Sequence, residues 1–183
     1  MRKLPNCNEA IDFLKKVGCQ PQVIKHSEKV KDVAVEIAKA CIKNGINLNL
    51  DLIKAGALLH DIGRSLTHDV KHGFYGGVIA KAFNFPEELV RIIERHVGAG
   101  IPKSETHQLG LPRRDFVPST IEEKIVSYAD KLVIGTRKVD FKKASIEFRK
   151  SLSPRHPALY RFRKLHEEIL NLMGMKNREV HNS

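Results

Sequence analysis

An all-α fold is predicted for this chain. Apolar residues recur at three- and four-residue steps over most of the sequence. No alternating strand pattern of useful length, internal repeat or low-complexity linker interrupts them. Gly, Asn and Pro fall where periodic segments should stop and start. With 183 residues and 42% hydrophobic content, the chain is expected to form one domain. Its core should lie over about residues 20–136, with C-terminal helices over 141–174 and a frayed tail over 175–183.

Asn8 to Val17 reads as a first amphipathic helix, ended by Gly18. Pro21 to Lys43 reads as a long second one, stopped by Asn44-Gly45, with His26, Val30, Val33, Ile37 and Cys41 on its apolar face. Asp51 to Leu59 is nearly all apolar, as a buried central helix requires, and His60 and Asp61 emerge from its end. The stretch HGFYGGVIAKAF makes a fourth helix, with His72, Gly76, Ile79 and Phe83 on one face. Pro86 suits the first turn of a fifth, on which Leu89, Ile92, Ile93 and His96 align. Thr120 and Glu123 read as the capping box of a helix reaching about Gly135, with Asp130 on its stripe Val126–Asp130–Val133. Two further helices are expected near Phe141–Leu152 and Pro157–Met173.

Residues 97–119 differ from the rest, being long, rich in Gly and Pro and placed directly after His96. Long loops of this kind serve as lids or binding loops, or run as ordinary surface excursions. Lys103, Arg113 and Arg114 would give a lid a charge suited to phosphate.

Composition narrows the function. Cys7, Cys19 and Cys41 form no CxxC pair, so neither a disulfide framework nor a thiolate zinc site is indicated, and Cys19 and Cys41 read as core residues. No apolar stretch approaches the roughly 18 residues that cross a bilayer, and the start lacks a hydrophobic signal core. A cytoplasmic protein with no membrane partner is expected. The net charge of +11 suits a phosphorylated small molecule or nucleic acid. The basic residues are scattered, however, with no aromatic-interleaved motif that would stack bases, so nucleic acid takes second place. A homodimer is left open.

The chemistry sits in LLHDIGR. Any one buried His or Asp has a bland explanation, as a core histidine bonded to a carbonyl or an aspartate in a cap. Here His26, His60, His72, His96 and Asp130 each fall on the inward stripe of a different helical segment, and Asp61 adjoins His60. Burying that many titratable groups is costly unless something compensates them. A divalent transition metal does so, because neutral imidazoles and carboxylates are its natural ligands. His68, His107, His156, His166 and His181 lie in loops or on polar faces and are left out of this set.

The order of His26, the His60-Asp61 pair and Asp130 resembles the H…HD…D signature of the HD superfamily of metal-dependent phosphohydrolases. The fragments LLHDIGR, KHGFYGG, RHVGAG and EEKIVSYADKL are similar to stretches of bacterial HD-type diadenosine tetraphosphate hydrolases and of a little-characterised archaeal HD family. The resemblance spans His26 to Leu132 and implies a single-domain HD helical bundle with a long loop before the Asp130 helix. It implies one metal on His26, His60, Asp61 and Asp130, and a second on His72 and His96 with Asp61 bridging. Fe or Mn suits such a site best, with Zn, Co or Ni as alternatives.

Two departures bear on the substrate. The adjacent His-His pair and GYP motif of the HD-GYP phosphodiesterases are absent, which argues against cyclic dinucleotides. The glutamate that many mononuclear nucleotidases carry shortly after HD is absent from IGRSLTHDV, so water activation would fall to the metals. The function expected is hydrolysis of a phosphoester or phosphoanhydride bond in a nucleotide or dinucleoside polyphosphate. Asp61 would orient the nucleophile, and Arg64 and Lys131 are candidates to grip phosphate, although a basic residue beside an acidic one is equally read as an ion pair. The alternative is a non-catalytic metal-containing module for binding or regulation, with RNA as a partner.

Overall fold

The computed structural model describes residues 3–175, and the expected frayed tail falls, from residue 176 on, outside them. The fold is mostly helical, as predicted. Helix α1 (Cys7–Lys16) begins at Asn6, whose side chain accepts from the Asn8 and Glu9 amides while Glu9 returns a bond to the Asn6 amide. Helix α2 (Pro21–Lys43) has Pro at its first position, where no amide is missed. Helix α3 (Leu50–Leu59) starts at Asn49, which caps the Leu52 amide. It is followed by a 3-10 turn over Ile62–Ser65 and by α4 (His72–Ala82) and α5 (Glu87–Arg95). Helix α6 (Lys103–Thr106) is short, α7 (Ile121–Lys131) runs through the centre, and α8 (Phe141–Lys150) and α9 (Pro157–Leu172) close the chain.

Helix α2 packs on α3 and α7, and α4 packs on α5 and on the 3-10 turn. Their facing stripes form one core that includes Val30, Val33, Ile53, Leu58, Leu59, Ile92, Ile93 and Ile125. Each such side chain contributes about 1.5–3 kcal/mol by leaving water. Cys19 and Cys41 are buried within it, and burial pushes the Cys19 thiol up to about 11. The 3-10 turn lies so close to α4 that a Cβ on Gly63 would collide with the His72 carbonyl oxygen and the Gly76 amide. Backbone contact thus sets the separation between Asp61 and His72.

The structure corrects three expectations. The Asp130 helix stops at Lys131 and gives way to a two-stranded antiparallel hairpin, β1 (Val133–Ile134) and β2 (Arg137–Lys138). The signal was a Gly-Thr pair after the β-branched Val133-Ile134, too short to stand against a helical periodicity. The capping box of α7 is only half made. Thr120 accepts from the Glu123 amide, but the buried Glu123 carboxylate bonds Ser119 and Arg95 instead.

Residues 97–119 are a folded arm rather than a structureless loop. Ile101 and Phe116 exchange both backbone hydrogen bonds and, with Leu111, make a small core against Val70 and Phe74. Arg114 forks onto buried Glu94 at 2.9 Å through each terminal nitrogen and lies 4.2 Å over the Phe116 ring. Arg161 holds Glu105 through two bonds of 2.8 Å. Arg114 is thereby committed to structure, the Lys103 amide bonds Asp115, and Arg113 is exposed.

Candidate metal centre

Four histidines meet where α2, α3, α4, α5 and α7 converge. Each has its Nδ1 on a backbone carbonyl: His26 on Gly135 at 2.8 Å, His60 on Ala57 at 2.7 Å, His72 on Asp69 at 2.6 Å and His96 on Ile93 at 2.8 Å. A carbonyl only accepts, so Nδ1 must carry a proton, and each ring, in its neutral form, presents the Nε2 lone pair inward. This is the outer hydrogen bond that orients metal-binding imidazoles.

The inward nitrogens face two carboxylates. His26 Nε2 lies 3.1 Å and His60 Nε2 3.5 Å from one Asp130 oxygen. His72 Nε2 lies 3.2 Å and His96 Nε2 3.5 Å from one Asp61 oxygen, while the other Asp61 oxygen is 3.6 Å from His60 Nε2. His72 and His96 bring their Nε2 atoms within 3.0 Å of each other. Six groups thus converge with acceptors facing acceptors. His60 Nε2 and one Asp61 oxygen are buried without any hydrogen-bond partner. Such an arrangement is repulsive on its own, and cations are what it fits. His26, His60 and Asp130 form one group of mutually close donor atoms, and His60, Asp61 and His96 form another. His72 joins the second through its contacts with Asp61 and His96.

The electrostatics favour the ligating form at Asp61, Asp130 and His96, and the protonated form at His26. Burial alone would raise both carboxyls. At Asp61 the neighbouring imidazoles of His60, His72 and His96 overcome it; at Asp130 the Lys131 ammonium, then His26 and His60, do so. Both carboxyls are held well below the usual carboxylate range. Burial pushes His96 down to about 4, against the opposing pull of Asp61, so that ring is neutral. At His26, burial is outweighed by the bond and charge of Asp130, and its value is raised.

The HD domain family matches residues 23–134 of the chain. This protein belongs to the HD superfamily. An uncharacterized protein of Methanocaldococcus jannaschii is 42% identical over 165 residues, which are 90% of this chain and 97% of that relative. A tRNA (cytidine(56)-2'-O)-methyltransferase of Picrophilus torridus is 40% identical over 175 residues, 95% of this chain and 49% of its own length. This chain therefore spans about half the length of that second relative. The HD domain of the Listeria monocytogenes phosphodiesterase PgpH, solved in complex with cyclic-di-AMP, shares the fold with a TM-score of 0.52 at 20% identity, covering 93% of this chain and all of that one.

In this HD domain the two basic candidates lie against carboxylates. Arg64 Nε donates to Asp61 at 2.6 Å, and Lys131 Nζ donates to the Asp130 oxygen that does not face His26. Of the histidines set aside, His68 and His107 are exposed and His156 caps α9, its Nδ1 accepting from the Ala158 amide. His166 is not on a polar face: it bonds the Tyr128 hydroxyl and stacks on Phe141 at 3.7 Å. His181 lies outside the described residues. Sequence reasoning missed the groups that hold the ligands, namely the Gly135 carbonyl and Ser127, whose hydroxyl donates to the His96 carbonyl at 3.0 Å. The Gly-Thr turn was a signal for the first; Ser127 gave none.

Proposed function

We propose that this HD protein is a metal-dependent phosphohydrolase. Its substrate would be the phosphoester or phosphoanhydride bond of a nucleotide or dinucleoside polyphosphate. One observation carries the reading: four imidazoles tethered outward through Nδ1 aim Nε2 at two ionised carboxylates, so that the neutral rings leave only acceptors facing one another. His26, His60, Asp61, His72, His96 and Asp130 would hold two divalent ions, Fe or Mn by their donor set, with Zn, Co or Ni as alternatives. Bound ions of this kind supply a water of lowered pKa and neutralise charge on the phosphoryl group.

The chain's own residues do the rest. Asp61 joins the two halves of the centre, one oxygen toward His72 and His96 and the other toward His60. Arg64 spends Nε on Asp61 and leaves its terminal nitrogens for an incoming phosphate, apart from a 3.5 Å contact to the His68 carbonyl. Lys131 fixes Asp130 and adds positive charge at the more exposed side of the centre. The PgpH likeness supports a nucleotide ligand and places cyclic dinucleotides in the substrate screen beside linear ones, despite the missing GYP motif.

Elemental analysis of protein purified without added metal, with phosphate release from nucleotides and dinucleoside polyphosphates, tests this reading. About two transition-metal ions per chain and turnover lost in Asp61→Ala are expected. No metal after reconstitution with Mn and Fe would overturn it. A second reading, an RNA-directed binding module, is supported by the net charge of +11 and by the name of the Picrophilus relative. It requires tRNA binding that Asp61→Ala leaves intact.

A further inference from the structure

Three of the four histidines are tethered within their own turn, since Ala57, Asp69 and Ile93 each lie three residues before the ring they hold. His26 alone is held from a distance, by a carbonyl 109 residues along the chain. That carbonyl belongs to Gly135, the first central residue of the two-residue turn between β1 and β2. Gly135 has φ +62 while Thr136 does not take a positive φ, the pattern of a II′ hairpin turn. A Cβ at 135 would meet nothing within 4 Å, so the demand for glycine is conformational rather than steric.

The hairpin is fastened to the helix that carries His26. Lys138 reaches both Glu36 oxygens, at 2.6 and 2.7 Å, and the Val139 amide closes onto the Leu132 carbonyl at 2.9 Å. The His26 side chain is 18% exposed, so water can reach the ring if the carbonyl turns away. Nothing else in its own helix turn fixes which nitrogen faces Asp130.

We propose that the Gly135 turn is a positioning element for the centre. Its carbonyl fixes the tautomer and ring orientation of His26, and so sets metal affinity in the half formed by His26, His60 and Asp130 without touching the half formed by His72, His96 and Asp61. The affinity step rests on the metal-centre reading above; the tautomer step does not.

The test uses Gly135→Val, whose branched side chain resists a positive φ, and Gly135→Asn, which tolerates one. Gly45→Val, at φ +85 with open space around it, controls for strain elsewhere. Nitrogen NMR of the metal-free chain at alkaline pH reads the histidine tautomers, and calorimetry reads stepwise binding of Mn(II). In Gly135→Val, His26 should leave the Nδ1–H form and one binding step should weaken about 10–100-fold, the other holding. Gly135→Asn and Gly45→Val should behave as wild type. An unchanged His26 tautomer in folded Gly135→Val, or equal weakening of both steps, overturns the proposal. Gly135→Ala, which adds one methyl into open space, gives the same readout at a smaller shift if the valine variant does not fold. A wild type that binds no ion while its His26 tautomer follows residue 135 refutes the metal centre and supports the turn's control of the ring.

Discussion

His72 and His96 are held by carbonyls three residues before them, and with Asp61 their side chains are 2–6% exposed. His26 is held by a hairpin from another part of the chain, and its side chain and that of Asp130 are 18% and 11% exposed. One half of the centre is thus preformed by helix ends and walled in, with the arm over residues 97–119 locked beside it through Glu94 and Arg114. The other adds to the buried, locally held His60 two groups brought in by tertiary contacts, His26 and Asp130, which lie nearer solvent. The inner half answers to local rules and the outer half to the whole fold, so the outer half is where substrate and exchanging ions should arrive.

The largest test removes what the halves share. Asp61→Ala should take metal content below one ion per chain and turnover to background, by elemental analysis and phosphate release. Near-normal metal content would mean that the halves do not depend on Asp61. Glu94→Ala should act on the inner half alone. It leaves Arg114 and Lys81 without their buried partner, but both are substantially exposed and water replaces most of the contact. A thermal-unfolding loss of about 1–2 kcal/mol is expected, with weaker metal binding at the inner half.

Acid should separate the halves. His26, with a raised value, must shed a proton to ligate, so outer-half binding weakens about tenfold per pH unit once pH falls below that value. His96 is neutral down to about 4 and sheds none. Metal titrations at a series of pH values check this, and parallel loss in both halves would break the distinction. In the metal-free chain the same His96 shift destabilises the fold in acid. The unfolded chain takes up a proton near 6.5 that the folded one refuses until about 4, so stability is full above 6.5 and is lost as pH falls through that window. The smallest effect is expected for Arg64→Ala. Loss of its bond to Asp61 should lower metal affinity about tenfold, whereas a KM increase with unchanged affinity would assign it to the substrate alone.

The helices were legible because their apolar stripes and caps are local, and the boundaries of α2 agree with the sequence at both ends. The six converging residues were legible because inward polar groups contradict their stripes. What escaped was short or relational. Two-residue strands carry no periodicity, and the pairs Glu94–Arg114 and Glu105–Arg161 join residues 20 and 56 apart that nothing in either segment announces. Arg114 therefore read as a phosphate ligand from its charge, when its partner was a buried glutamate.

The contact at Gly63 limits how this protein could be re-engineered. Because bare backbone abuts the start of α4 there, the contact that separates Asp61 from His72 has no side chain to lengthen or trim. An attempt to adapt the centre to an ion of different radius would find that span rigid. The adjustable dimension is the opposite one, from His26 across to Asp130, where the exposed turn at Gly135 and Thr136 can be redesigned while Val133 keeps its place in the core.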